Sequence, residues 1–355
     1  MKFLSLETRE WHTRKCNSLS KARIKAANRR AQKKKRGNSS HPHIPALRIL
    51  APKIFNLYDH RTRAELANFL LELRTGFKQL AGQNAQALLI DFSRTTNFSA
   101  GGTLLFYAEL TRLIDLFNRS VKIRCTTPQN NRASQVLEQI GVYNICSHRS
   151  HGAPTLDDVV HWRVARGHLV DNRICAPAIE AFEGQLAMPL VNGLLGGLAE
   201  AMTNAVQHAY DGVRQDGLGH TDIRDWWMFS QAKDGFLYVV FCDLGVGIPT
   251  TLPVKRAWLI RQMEKLGIAI NDANCIAEAI NEGRSKTGLP GRGHGLGNII
   301  EVVENVPNAH AVIMSNRGRY DSGNDNPETS NYVDSILGTL IYWKVPLQEE
   351  KSGEV

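Results

Sequence analysis

Two apolar runs, Trp226-Trp227-Met228-Phe229-Ser230 and Phe236-Leu237-Tyr238-Val239-Val240-Phe241-Cys242-Asp243, flank the turn Lys233-Asp234-Gly235. Aromatic and β-branched residues on either side of an Asp-Gly pair predict an antiparallel hairpin. This is the tightest constraint in the chain, because it commits the region to a sheet whose second strand ends on a carboxylate, Asp243. There the chain breaks into Leu244-Gly245-Val246-Gly247-Ile248-Pro249. A carboxylate at a strand end can accept a hydrogen bond from an exocyclic amine, and Gly245 and Gly247 permit a close approach that a Cβ would block. Taken alone, an Asp-x-Gly-x-Gly run is also what an ordinary turn looks like.

Upstream, Leu194, Leu195, Leu198, Met202, Ala205, Val206 and Ala209 recur three or four apart, which predicts an amphipathic helix with a buried stripe. Glu200, Asn204 and His208 follow at i, i+4 and so stack along its polar side. A carboxylate and a carboxamide one turn apart suit a hard cation and an attacking water. Downstream, Gly283, Gly288, Gly291, Gly293, Gly295 and Gly297 precede Ile299, Ile300, Val302 and Val303, a predicted helix. A glycine-rich loop ending at a helix start offers backbone N–H groups to phosphate, and Lys286, Arg292 and His294 add charge. No Gly-Lys-Ser/Thr ends the loop, so it is not a Walker loop. Residues 311–315 and 338–346 read as strands, and the polar stretch from Arg319 to Asp334 reads as an exposed loop between them.

The first half alternates strand-like and helix-like segments. Leu47 to Leu57 is predicted as strand, and Asp59 caps a helix through Leu66, Phe69, Leu70, Leu73 and Phe77. Strand Ala87 to Phe92, a Gly101-Gly102 turn, a helix from about Thr103 to Phe117 and strand Val121 to Cys125 follow. A last helix spans Val136 to Ile140 and stops at Gly141. This order implies an α/β domain with a mainly parallel core. Residues 147–184 read as a polar connector whose histidines, His148, His151 and His161, face solvent.

The net charge of +9 is concentrated at one end: residues 1–40 hold 13 Lys and Arg against 2 Glu, leaving the rest of the chain slightly acidic. The run from Ser20 to Gly37 is either a solvated segment or a phosphate contact to nucleic acid. It carries no aromatic residue for base stacking. Asn38 to Pro45 reads as a linker. Six cysteines lie far apart with no Cys-x-x-Cys pair, which argues for isolated buried thiols. No apolar run approaches the ~18–20 residues of a membrane span, and no secretory signal opens the chain, so a cytoplasmic location is expected.

Two resemblances sharpen these expectations. Ile90-Asp91-Phe92-Ser93 and Asn97-Phe98-Ser99-Ala100-Gly101-Gly102-Thr103-Leu104 resemble the STAS fold of anti-sigma-factor antagonists. That family's phosphorylatable serine falls on Gly101 here, with Ser99 two residues earlier, so a packing or docking role is implied instead. Glu200-x-x-x-Asn204, Asp243-x-Gly245-x-Gly247, Gly291-x-Gly293-x-Gly295-Leu296-Gly297 and Gly338-Thr339 occur in an order similar to the GHKL ATP-binding domain of gyrase, heat-shock chaperones, histidine kinases and MutL. The resemblance implies a two-layer α/β sandwich over residues 185–347, after a STAS-like domain at 46–146, with ATP between a mixed sheet and a mobile lid. Residues 1–45 and 348–355 would be tails.

Carried over to matching positions, Asn204 would ligate Mg²⁺ and Asp243 would hold the adenine amine with help from Thr339. Gly245, Gly247 and Ile248 would border the nucleotide. Lys286, Gly291, Gly293, His294, Gly295, Leu296 and Gly297 would line the phosphates, with His208 nearby. Glu200 would orient or deprotonate the attacking group. No His-Glu/Asp-x-x-x-Pro phosphoacceptor helix precedes this region, and only a few residues follow Pro346, too few for a transducer domain. Two classes therefore remain open: an anti-sigma-type serine kinase-like switch working with its own STAS-like half or another regulatory protein, and an ATPase associated with nucleic acid through its tail. A homodimer is compatible with either.

Overall fold

The computed structural model describes residues 46–82, 86–150, 152–182, 184–219, 224–285, 295–323 and 326–348. The first half opens with β1 (Ala46–Leu50), β2 (Ile54–Phe55) and α1 (His60–Leu80), followed by β3 (Ala87–Asp91), β4 (Asn97–Phe98) and α2 (Ala100–Leu116). It closes with β5 (Lys122–Cys125), α3 (Asn131–Gln139) and the single turn α4 (Val142–Ile145). Strands β1, β3 and β5 form a parallel sheet in the order β1-β3-β5, and β2 pairs with β4, also in parallel. The strand expected from Leu47 to Leu57 is thus two strands in two sheets. The Asp59 carboxylate accepts from the amides of Arg61 and Thr62, at 3.1 and 3.0 Å, and so starts α1 where expected. Gly141, at φ 79°, ends α3 in the left-handed region.

Ser99 caps α2: its hydroxyl accepts from the Gly102 amide at 3.3 Å and donates to the Phe55 carbonyl at 2.7 Å. A Cβ on Gly102 would lie 2.5 Å from that carbonyl, so glycine is what lets α2 approach β2. Gly101 is buried under Leu340 of the second half.

The second half runs through α5 (Asp157–Val160), β6 (Arg163–Gly167), α6 (Asn172–Glu180) and α7 (Met188–Asn204), the last extended by a π-helical turn (Ala205–Ala209). Strands β7 (Trp226–Lys233) and β8 (Phe236–Asp243) are the expected hairpin, with Asp234 and Gly235 at φ 52° and 74°, as a two-residue turn requires. Helices α8 (Ile248–Lys255), α9 (Ala257–Lys265), α10 (Asp272–Ser285) and α11 (Leu296–Glu301) precede β9 (His310–Ser315), β10 (Gly318–Asp321), β11 (Glu328–Asn331) and β12 (Thr339–Pro346). One seven-stranded sheet collects them in the order β11-β10-β9-β12-β8-β7-β6.

Three expectations are corrected here. Every described pair in this sheet is antiparallel, so the sheet is not mixed. Residues 319–334 are not simply a loop, because β10 and β11 pair across it. Residues 147–184 do more than connect: β6 forms the sheet edge, and Gly167 lies flat under the Trp226 indole, which a Cβ would strike at 2.3 Å.

Alternation along these strands explains why they are apolar throughout. Trp226, Met228, Val239, Phe241, Ile341 and Trp343 face one core with α6, α7, α10 and α11. Trp227, Phe229, Val240, Cys242, Leu340 and Tyr342 face a second core that is continuous with Phe55, Leu66, Phe106 and Leu113 of the first half. The two segments expected as successive domains therefore share one apolar interior, and residues from Ala46 onward form one compact unit. Five of the six cysteines are buried free thiols, and Cys16 lies outside the described residues. Among the described residues no helix is long and apolar enough to cross a membrane.

Charges are buried in the same interface. Glu109 of α2 is fully buried and receives Arg214 at 2.8 Å, Arg74 at 2.8 Å and Arg112 at 3.1 Å, with Asp216 alongside. Burial pushes the Glu109 carboxyl up, but the three guanidiniums together hold it well below the usual carboxylate range. Removing the carboxylate would leave three buried cations sharing the single Asp216 carboxylate. Glu109→Ala should therefore cost about 3–5 kcal/mol of unfolding free energy in urea at neutral pH. A loss under about 1 kcal/mol, as for an exposed pair, would contradict this placement.

Candidate functional site

Helix α7 carries the expected stripe: Leu194, Leu198, Met202 and Ala205 are buried, while Glu200, Asn204 and His208 are half-buried on the other side. The regular helix stops at Asn204, however, and the next five residues form the π turn. The wider turn breaks the i, i+4 stacking of Asn204 with His208. Its end is fixed by the glycine loop after β8, since the Val246 amide donates to the Ala209 carbonyl at 2.7 Å. The Tyr210 hydroxyl receives the Leu244 amide at 3.3 Å. Asn204 and Asp243, 39 positions apart in sequence, are thus held at two ends of one stitched segment.

Asp243 is buried at the end of β8, where Thr339 of β12 is its cross-strand partner. Its carboxylate accepts from the Gly245 amide at 2.9 Å and from the amide and hydroxyl of Thr339. Burial outweighs these donors and pushes the acid up to about 6. Behind it, the Ser315 hydroxyl donates to the Gly338 carbonyl, contacts the Thr339 hydroxyl, both at 3.1 Å, and receives the Ile248 amide at 2.9 Å. Asn316 donates to the Val246 carbonyl at 2.9 Å. Neither residue belongs to a motif read from the sequence.

The glycines of the loop are required by their protein neighbours. A Cβ on Gly245 would lie 2.1 Å from the Ala209 carbonyl oxygen, and one on Gly247, at φ 85°, would lie 2.6 Å from the Asn316 side chain. Protein atoms, not an open space for ligand, demand glycine at both positions. Gly297 likewise packs against α10, 2.9 Å from the Arg284 amide for a Cβ. Gly295, at φ 61°, and Leu296 open α11, and Leu296 packs with Ile248 of α8 in the same small cluster. Lys286, Gly291, Gly293 and His294 lie outside the described residues.

One cation was not singled out by sequence. Lys255, at the end of α8, donates to His208 Nδ1 at 2.8 Å and pairs with Asp211 at 2.7 Å. Burial, and then this lysine, hold the His208 imidazole below its usual value. His208 is thus a neutral acceptor beside a positive charge.

The Asn204 Nδ2 atom is buried and has no hydrogen-bond partner among the described residues. A buried amide without a partner costs about 1–3 kcal/mol, and rotation of the amide can present either its N–H or its carbonyl oxygen there. Among the described residues no cluster of three His, Cys, Asp or Glu side chains could hold a metal by itself. A cation at Asn204 would need ligand oxygens to complete its shell. A separate groove of about 1050 Å³ lies beside the other end of α7, lined by Gly193, Gly197, Asn298, Glu301, Val302 and Pro307 among others. It holds neither the orphan amide nor the buried acid. No known family profile matches the chain, and no curated protein matches it.

Asp243 ionises near 3.8 when unfolded and near 6 when folded, so the folded state holds the extra proton between those values. Its contribution is fully present below the unfolded value and is lost as pH rises through 6, roughly 3 kcal/mol in all. Asp243→Asn removes that ionisation and should gain stability over wild type across this window, levelling above neutral pH. Parallel stability curves for the two proteins from acid to neutral pH would contradict the assignment.

Proposed function

We propose that this chain binds Mg-ATP and acts as a nucleotide-dependent regulatory switch. The observation that carries the reading is the pairing of a buried strand-end carboxylate with an orphaned buried amide on the helix stitched to its loop. At neutral pH Asp243 is ionised and acceptor-only, the state required to receive the exocyclic amine of adenine. Thr339 would keep it oriented. Asn204 would turn its amide oxygen to a magnesium ion, which would neutralise charge at the phosphates when bound with the nucleotide. Lys255 and His208 would lie toward the phosphate end, and Glu200 would orient or deprotonate the acceptor group.

The kinase-like form of this reading requires a hydroxyl acceptor. Ser99 is engaged as a helix cap and Gly101 is buried, which favours an acceptor other than that loop or a switch that transfers nothing. ATP labelled at the γ-phosphate separates the outcomes. Label on protein supports a kinase, released phosphate supports an ATPase with Glu200 as base, and neither leaves a binding switch.

Asn204→Ala should abolish the magnesium-dependent part of ATP affinity in calorimetry while leaving the circular dichroism spectrum unchanged. Equal affinities for both proteins would sink the metal role. Wherever turnover is detected, Glu200→Ala should keep ATP affinity and lower the rate by about 10²–10⁴-fold, the usual contribution of a general base. Undiminished phosphate release would remove Glu200 from that role.

A further inference from the structure

Arg63 lies on α1 of the first half, almost wholly buried, and forms no ion pair among the described residues. Burial pulls its guanidinium down to about 10. It spends its donors on backbone carbonyls of the second half: Nη2 reaches Asn316 at 2.9 Å and Asp334 at 3.2 Å, and Nε reaches Asp334 at 3.3 Å. The guanidinium also stacks 4.0 Å over the Tyr332 ring. A cation desolvated without a carboxylate partner is costly, and the gain here is a pair of fixed carbonyls.

Those carbonyls belong to the residues that frame Asp243. Asn316, at φ 51°, receives Arg63 on its carbonyl and donates its own amide to the Gly338 carbonyl at 3.1 Å. Its side chain holds the Val246 carbonyl and fits under Gly247. On the other flank Arg214, anchored by Glu109 of the first half, donates to the Leu337 carbonyl at 2.8 and 3.1 Å. Leu337 is also left-handed, at φ 54°, and a Cβ on the next residue, Gly338, would lie 2.3 Å from the Asp243 carbonyl. Two buried arginines tied to the first half thus fix residues 334–338, the segment that delivers Thr339 to Asp243.

We propose that Arg63 is a positioning residue for base recognition, acting through Asn316 on the Asp243 loop, so that the first half sets which purine the second half accepts. This rests on the Mg-ATP reading above. Asp243 discriminates an amine from an oxo group only while its carboxylate is held by Gly245 and Thr339. Loosening Asn316 frees Val246 and Gly338 together and so blurs that choice.

The test compares ATP with inosine triphosphate, which bears an oxo group in place of the amine, by calorimetry on the full chain with Mg²⁺. Wild type should prefer ATP by about 10–100-fold, the worth of one charged hydrogen bond. Arg63→Ala should bring that ratio close to one while retaining magnesium-dependent binding of inosine triphosphate. Arg63→Lys keeps the charge and the stem but cannot span both carbonyls, so its ratio should fall several-fold. It carries the test if the alanine variant does not fold. Variants that keep the wild-type ratio, or weaken both nucleotides equally, overturn the proposal and leave the Mg-ATP reading standing. Wild type that binds neither nucleotide overturns that reading, and this one with it.

Discussion

The seven-stranded antiparallel sheet is apolar on both faces, and everything else follows from the need to cover it. An antiparallel sheet can leave one side to water when its residues alternate with polar ones. Here Trp227, Phe229, Val240 and Leu340 alternate with Trp226, Met228, Phe241 and Ile341, so neither side can be left bare. Helices α6, α7, α10 and α11 cover one face, and α2 of the first half contributes to covering the other. Each of these large side chains contributes about 1.5–3 kcal/mol on burial. The apolar contact therefore dominates the stability of the interface. The buried cluster around Glu109 offsets much of its attraction with desolvation.

The same contact reaches the candidate site. Because α1 and α2 share the apolar core under the sheet, Arg63 reaches the turn after β9 directly and Glu109 reaches the one before β12 through Arg214. Those turns carry three strained or close-packed positions, Asn316, Leu337 and Gly338, and hold Ser315 and Thr339 against Asp243. A buried acid raised to about 6 and an amide without a partner are both unfavourable in isolation. Such groups persist where the surrounding packing fixes them.

Much of this was legible locally. The Asp-Gly turn, the Asp59 cap, the Gly141 stop and the stripe from Leu194 to Ala209 all depend on neighbours within a few residues, so sequence reported them well. Strands β6, β10 and β11 were missed because they are only four or five residues long, and β11 at the edge is polar and mostly exposed, with no apolar alternation to read. The packing that requires Gly245 and Gly247 is not visible locally, because their close neighbours, Ala209 and Asn316, are distant in sequence. The buried roles of Arg63, Arg74, Arg112 and Arg214 were hidden for the same reason. An arginine reads as surface until the carbonyls and carboxylates that receive it are in place.

Hydrogen exchange of the full chain with and without Mg-ATP reports where the nucleotide acts as well as whether it binds. Nucleotide held between Asn204 and Asp243 should slow exchange at residues 204–210, 243–248 and 337–340. Protection confined to the groove between Ala187–Gly197 and Glu301–Asn308, or no change anywhere at saturating nucleotide, would contradict that placement.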